Sequence, residues 1–292
     1  MSERTTPFRG LVYKGRPLSE LYRMILARDD FEASEFSLSN YIMLRDKPDC
    51  LLEAIPAFPS RAFRHSSMYV RKNSEIRDFR ELAGKRVGIT EYTMTAAVWL
   101  RGIMHEHYDT HWRAIKWLSR PEKRFPPPDA ANVMETHADL EELLLRGDID
   151  ALLKPQPRDR QRPPEERELR PLLDEVVGVE AKYLKDTGIF PIMHTVVIHR
   201  DILAEHPEFA NAVYAFYEMG KARQAQLPRD DIAPYGIGPD NLRTVETLCR
   251  YLSEQKLIER SVDDVQSLFL KIEKGSRSYK FGGGEGTCGA VG

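Results

Sequence analysis

A chain of 292 residues can hold two domains of ordinary size. Its 41% hydrophobic and 30% charged residues are globular in balance, and a formal net charge of -2 gives no general pull toward nucleic acid or an anionic membrane. MSERTTPFRG at the start lacks an apolar core, no segment reaches bilayer-spanning length, and Cys50, Cys249 and Cys288 are too scattered for a disulfide framework or a metal knuckle, so the expectation is a cytoplasmic protein with reduced thiols.

In chain order, Leu11 to Tyr13 reads as a short strand, with Lys14-Gly15-Arg16-Pro17 as a turn. Leu18, Leu21, Tyr22, Ile25 and Leu26 then recur at helical spacing. FEASEF, Phe31 to Phe36, reads as a second strand, followed by a helix carrying Tyr41, Ile42 and Leu44. Ser37 or Ser39 fits its N-cap, and a helix N-terminus also suits an anion. An apolar run ending at Ala54-Ile55 meets Pro56, and the loop beyond it offers Ser60, Arg61, Arg64, His65, Ser66 and Ser67 before Met68, Tyr69 and Val70 resume an extended pattern. Arg presents a planar donor fork that matches carboxylates, and His moves protons near neutral pH. The bland reading of this stretch is a solvated basic turn.

Asp78 to Leu82 predicts a short helix ending at Gly84, and Lys85 to Ile89 a compact strand. The turn Thr90 to Thr95 leads into a helix over Ala96 to Met104, with Thr93 and Thr95 as candidate caps and Trp99 in the core. Strand, polar turn and helix together present backbone N–H groups to a ligand. His105, His107 and His111 lack the spacing and carboxylate partner of a zinc site and read as a surface helix end. Ala114 to Leu118 reads as a strand, PEKRFPPPD as a loop, Ala138 to Leu145 as a helix capped by Gly147, and Asp148 to Leu153 as a strand. The Pro- and Arg-rich run from Lys154 to Pro171 has interleaved acids, which favours a solvated loop over a nucleic-acid arm. His194 opens a β-branched strand through Ile198, where a side chain could face a cleft. Helices then follow from Ile202, through Leu257 after the turn Asp231 to Asn241, and over Ser261 to Ile272. The tail FGGGEGTCGAVG has no core-forming content.

Alternating strands and helices argue an α/β fold. The expected division is a discontinuous first lobe, 1–85 and 190–280, a second lobe inserted at 86–189, and a disordered tail at 281–292, with a ligand cleft between the lobes.

SEFSLSNYIMLRD, AIPAFPSRAFRHSSMYVR, GKRVGITEYTMTAAVWLRGIM, GIFPIMHTVVIHRDIL and PYGIGPDNLRTVETLCRYLSEQ together resemble the 4,5-dihydroxyphthalate decarboxylase family, from about Leu11 to about Leu270. The resemblance implies a two-lobed, periplasmic-binding-protein-like type II fold. It also implies a cytoplasmic carboxy-lyase of phthalate breakdown, converting 4,5-dihydroxyphthalate to protocatechuate and carbon dioxide. Relative to that family, the chain begins at what resembles the second strand, so the first strand is apparently missing.

Decarboxylation of such a ring needs an acid aimed at the carboxylate-bearing carbon, an acceptor for the phenol and cations for the remaining carboxylate. The expected roles are Arg61 and Arg64 as carboxylate clamp, Ser39, Ser60 and Thr95 as hydroxyl donors, His65 or His194 as proton donor, and Glu91 or Tyr92 near the phenolic edge. No cofactor and no metal ligand set is expected, and the partner is a small aromatic carboxylate. A helical C-terminal segment could form a homo-oligomer contact. The competing class is a non-catalytic cytoplasmic binding protein or sensor for an aromatic carboxylate. An effector domain of a transcription regulator lacks a DNA-binding helix pair.

Overall fold

The computed structural model describes residues 3–5, 11–122, 124–224, 234–273 and 286–290. In chain order the elements are β1 (Glu3–Thr5), β2 (Leu11–Gly15), α1 (Leu18–Ala27), β3 (Ala33–Ser37), α2 (Leu38–Arg45), β4 (Leu52–Ile55), β5 (Met68–Arg71) and β6 (Arg86–Ile89). They continue with α3 (Thr95–Tyr108), β7 (Lys116–Ser119), β8 (Val133–Glu135), α4 (Leu140–Arg146), β9 (Ala151–Leu153), β10 (Leu169–Pro171) and α5 (Val176–Thr187). The last are β11 (His194–His199), α6 (Arg200–Glu205), α7 (Phe209–Gln224), α8 (Pro239–Glu254) and β12 (Gly286–Ala290). The chain forms two compact units, one of residues 1–61, 192–246 and 262–292 and the other of 62–191 and 247–261. No helix among the described residues is long and apolar enough to cross a membrane.

The first unit is built on a sheet ordered β1-β2-β12-β3-β11-β4. β11 runs antiparallel to β3 and β4, and β12 runs parallel to β2 and β3. Val196, Ile198, Ala33 and Ile55 project from it onto Phe209 and Val213 of α7, and this buried apolar layer sets how β11 lies against its neighbours. β12 departs from the expected disordered tail. Backbone groups on the facing edges of β2 and β3 need partners, and it supplies them. The expected helix over Ser261 to Ile272 is also absent. A 3₁₀ turn, Val265–Leu268, is followed by extended chain, and the Leu270 amide donates to the Ala54 carbonyl. The Leu268 carbonyl accepts from the buried Tyr41 hydroxyl, so tertiary bonds replace the helical ladder there.

The second unit has the sheet order β10-β5-β9-β6-β7-β8. β6 pairs parallel with β7 and β9, whereas β5 pairs antiparallel with β9 and β10. That pairing draws residues 62–85 into this unit rather than into the lobe expected from the sequence. The Pro/Arg run is no loose solvated loop either. Buried Glu141 accepts from Lys154 Nζ at 2.8 Å and from the amides of Arg158 and Asp159 at 3.0 and 2.8 Å, while Asp159 accepts from the amides of Glu168 and Leu169. Glu141 of α4 and Asp159 within the run are therefore its anchors. Burial pushes the Glu141 carboxyl up, but Lys154 and those amides outweigh it and hold it below its usual range.

Trp99 of α3 is fully buried and meets the Tyr251 ring edge-on, with centroids 5.6 Å apart. Gly102, one turn further along α3, has the same Tyr251 ring pressed where a Cβ would stand. Helix propensity alone favours Gly102→Ala by about 1 kcal/mol. The clash has the larger magnitude, since overpacking a filled site costs about 1–3 kcal/mol. Gly102→Ala is therefore expected to lower the urea midpoint of unfolding, and an unchanged or raised midpoint would show that Tyr251 yields without cost.

Candidate functional site

The first unit gathers polar groups where β3 ends and β11 begins. Ser37, the last residue of β3, caps α2 by accepting from the Asn40 amide at 3.4 Å, and its Oγ lies 3.3 Å from Ser39 Oγ. The antiparallel register sets His194 opposite Ser37, and the Leu38 amide donates to the Met193 carbonyl at 3.0 Å. Alternate residues of a strand share a face, so Glu35 lies on the same side as Ser37 and within diagonal reach of His194. His194 Nδ1 sits 2.6 Å from Glu35 Oε1. The Tyr22 ring meets the imidazole edge-on, with centroids 6.0 Å apart.

The chain at Ser60 and Arg61 runs beside this point. The Ser60 carbonyl accepts from the amides of Met193 and His194 at 2.9 and 3.3 Å, and Arg61 bridges Ile192. Arg61 Nη2 donates to Asn241 Oδ1 at 2.5 Å and to the Pro234 carbonyl at 3.2 Å, with the guanidinium over the Phe58 ring. Buried Asn241 donates in turn to the carbonyls of Pro234 and Gly236 at 2.8 and 2.6 Å. The turn that follows Pro234 needs φ of +88° at Gly236, a conformation that glycine adopts without strain. Part of the PYGIGPDN stretch is thus a brace for Arg61. Tyr235 belongs to the same neighbourhood. Burial pushes its phenol well above the ordinary range, Glu218 and Glu35 add to the rise, and Arg61 opposes it. Both Glu35 and Arg61 therefore act on one hydroxyl.

Of the residues singled out by sequence, this unit brings together Ser39, Ser60, Arg61 and His194. Glu35 was missed. Its burial, with every residue of β3 buried, shows only in the structure, and FEASEF gives no sign of the partner such an acid demands.

The second unit holds Arg64, His65, Glu91, Tyr92 and Thr95. Neither unit contains both arginines of the expected clamp. Burial lowers the Arg64 guanidinium to about 10, opposed by Glu180, whose carboxylate also accepts from the Ser66 amide. His65 is 1% exposed among the rings of Phe79, Tyr108 and Tyr183. Its Nδ1 has no hydrogen-bond partner among the described residues. Burial, reinforced by His107, lowers its pKa to about 4, so it is a neutral core imidazole and a poor proton donor near pH 7.

Tyr92 is likewise core, with the buried Arg101 guanidinium 3.8 Å from its ring centroid and Trp117 edge-on at 6.0 Å. Arg101 Nε donates to Gln255 Oε1 at 2.8 Å. Half-buried Glu91 has its carboxyl raised by burial and by Glu122. Thr95 is buried as the first residue of α3, whose N-cap is Met94, and Thr93 donates to the Phe125 carbonyl, so neither threonine is the N-cap. His105 and His107 are exposed near the C-terminal end of α3. Among the described residues no group of three His, Cys, Asp or Glu is placed to hold a metal ion.

Solved structures give the fold class. The periplasmic aliphatic sulphonate binding protein SsuA from Escherichia coli matches with a TM-score of 0.53 and 14% identity, covering 89% of this chain and 84% of that one. The chain therefore has the periplasmic-binding-protein-like type II fold that its sequence led us to expect. Among curated proteins it is related to the 4,5-dihydroxyphthalate decarboxylases. It is 31% identical over 216 residues to the one from Comamonas testosteroni, 70% of this chain and 64% of that protein. It is 32% identical over 146 residues to the one from Pseudomonas putida, 47% of this chain and 57% of that protein. The chain thus spans just under two thirds of the length of the first of these relatives. No family model matches it.

A buried neutral histidine has a consequence for stability. Below its ordinary value of 6.5 the unfolded chain binds a proton at His65, whereas the folded chain does so only near 4, so stability falls as pH drops through that interval. His65→Phe, which keeps the ring packing, is expected to flatten the fall in denaturant midpoint between pH 6.5 and 4. An equally steep fall in the variant would contradict the assignment.

Proposed function

We propose that the protein decarboxylates 4,5-dihydroxyphthalate, or a close hydroxylated aromatic diacid, to protocatechuate and carbon dioxide in the cytoplasm. The observation that carries the reading is His194 held by Glu35 at the start of β11, with its amide on the carbonyl of Ser60, the residue before Arg61, in a chain related to such decarboxylases.

Direct loss of carbon dioxide would leave an aryl carbanion, whose cost is prohibitive. Protonating the carboxylate-bearing carbon avoids it. Protonated His194 gives its Nε2 proton to that carbon while the para hydroxyl loses its own proton to a solvent water and becomes a dienone carbonyl. The bond to the carboxylate then breaks, its electron pair re-enters the ring, and the dienone oxygen regains a proton. One proton is consumed for each carbon dioxide released. Arg61 holds the carboxylate that stays, and Ser39 and Ser60 supply hydroxyls beside it. Acid catalysis of this kind contributes about 10²–10⁴-fold. His65, Arg64, Glu91, Tyr92 and Thr95 are given no proton-transfer role, because the second unit buries or pairs most of them.

Supplying purified protein with 4,5-dihydroxyphthalate should yield protocatechuate and carbon dioxide in equal amounts. His194→Gln should lower kcat by about 10²-fold or more, Arg61→Gln should act mainly by raising KM, and His65→Phe should keep most of the turnover. Full turnover by His194→Gln would remove the proposed acid. Saturable binding without any carbon dioxide would turn the assignment toward a receptor for aromatic carboxylates.

A further inference from the structure

We propose that Glu35 is the positioning residue of His194: its carboxylate takes Nδ1–H and turns Nε2 into the nitrogen that exchanges a proton with the substrate. The inference rests on the reading of His194 as proton donor and adds the group that makes it one.

The geometry is fixed by the fold. Glu35 sits in the middle of β3, where every residue is buried, and His194 opens β11 opposite Ser37. The two-residue offset between Ser37 and Glu35 returns the carboxylate to the face that His194 occupies, at 2.6 Å from Nδ1. An ionised carboxylate can only accept, so the ring nitrogen facing it carries the hydrogen. A short bond of this type is charge-assisted and among the stronger polar contacts. The edge-on Tyr22 ring flanks the imidazole and limits its rotation. With Nδ1–H tied, the neutral imidazole keeps its lone pair on Nε2 and the cation has its transferable hydrogen there.

The test uses the full chain labelled with ¹⁵N at histidine. In the wild type at a pH where His194 is neutral, its ring nitrogen shifts should report a single Nδ1–H tautomer. A wild-type ring that is Nε2–H would overturn the proposal without any variant. In Glu35→Gln, which keeps side-chain volume, the tautomer should become mixed or reverse, and kcat should drop about 10–100-fold with KM within a factor of about three. Glu35→Asp should recover part of that loss, because the charge returns at a longer reach. An unchanged tautomer in a folded Glu35→Gln protein, or unchanged kcat, would overturn it. These outcomes are distinct from failure of the functional reading, since that reading falls with His194→Gln whatever the tautomer shows.

Discussion

The register between β3 and β11 is the constraint on which the first unit's chemistry depends. Because His194 lies opposite Ser37, one strand end delivers an imidazole to a carboxylate two residues back along its neighbour and to the hydroxyls at the start of α2. Side chains alternate along a strand, so a slip of a single residue would carry His194 to the other face, away from Glu35. The apolar layer on the sheet, with Val196, Ile198 and Ile55 against α7, resists such a slip because it would turn those same residues toward the wrong side. Packing energy of the core and geometry of the polar edge are thus set by one alignment.

The two arginines of the Ala54–Arg71 stretch have separate histories in the fold. Arg61 is braced by Asn241 and the turn at Gly236 and acts on the Tyr235 phenol. Arg64 lies with Glu180, next to a histidine enclosed by aromatic rings. Proximity in sequence suggested a single basic clamp. The break between the units falls right after Arg61, and the chain on either side is committed to a different sheet.

Much of the fold was legible because its signals are local. Ser37 as a cap, Gly147 as a helix end with φ of +87°, the strand at 86–89 and the buried Trp99 all follow from propensity and period over a few residues. The first sheet's β12 was illegible because its stability comes from backbone pairing with strands far away in sequence, to which a glycine-rich tail gives no clue. Glu35 and the burial of His65 were illegible for the same reason. Strand FEASEF shows no partner for its acid, and nothing in RHSS announces the rings of Phe79, Tyr108 and Tyr183. Local pattern reports elements, whereas the chemistry of a titratable side chain is decided by what tertiary contact brings to it.

In the function we propose, an aromatic diacid is held at the end of the first unit's sheet that carries His194 and Arg61. Phthalate, which lacks the para hydroxyls needed for turnover, can be titrated into the ¹⁵N-labelled full chain while the imidazole and guanidinium signals are followed. The account predicts that His194 and the Arg61 Nε–H shift together and saturably while His65 stays in place. Shifts confined to His65 and Arg64, with His194 and Arg61 unmoved at saturation, would contradict it.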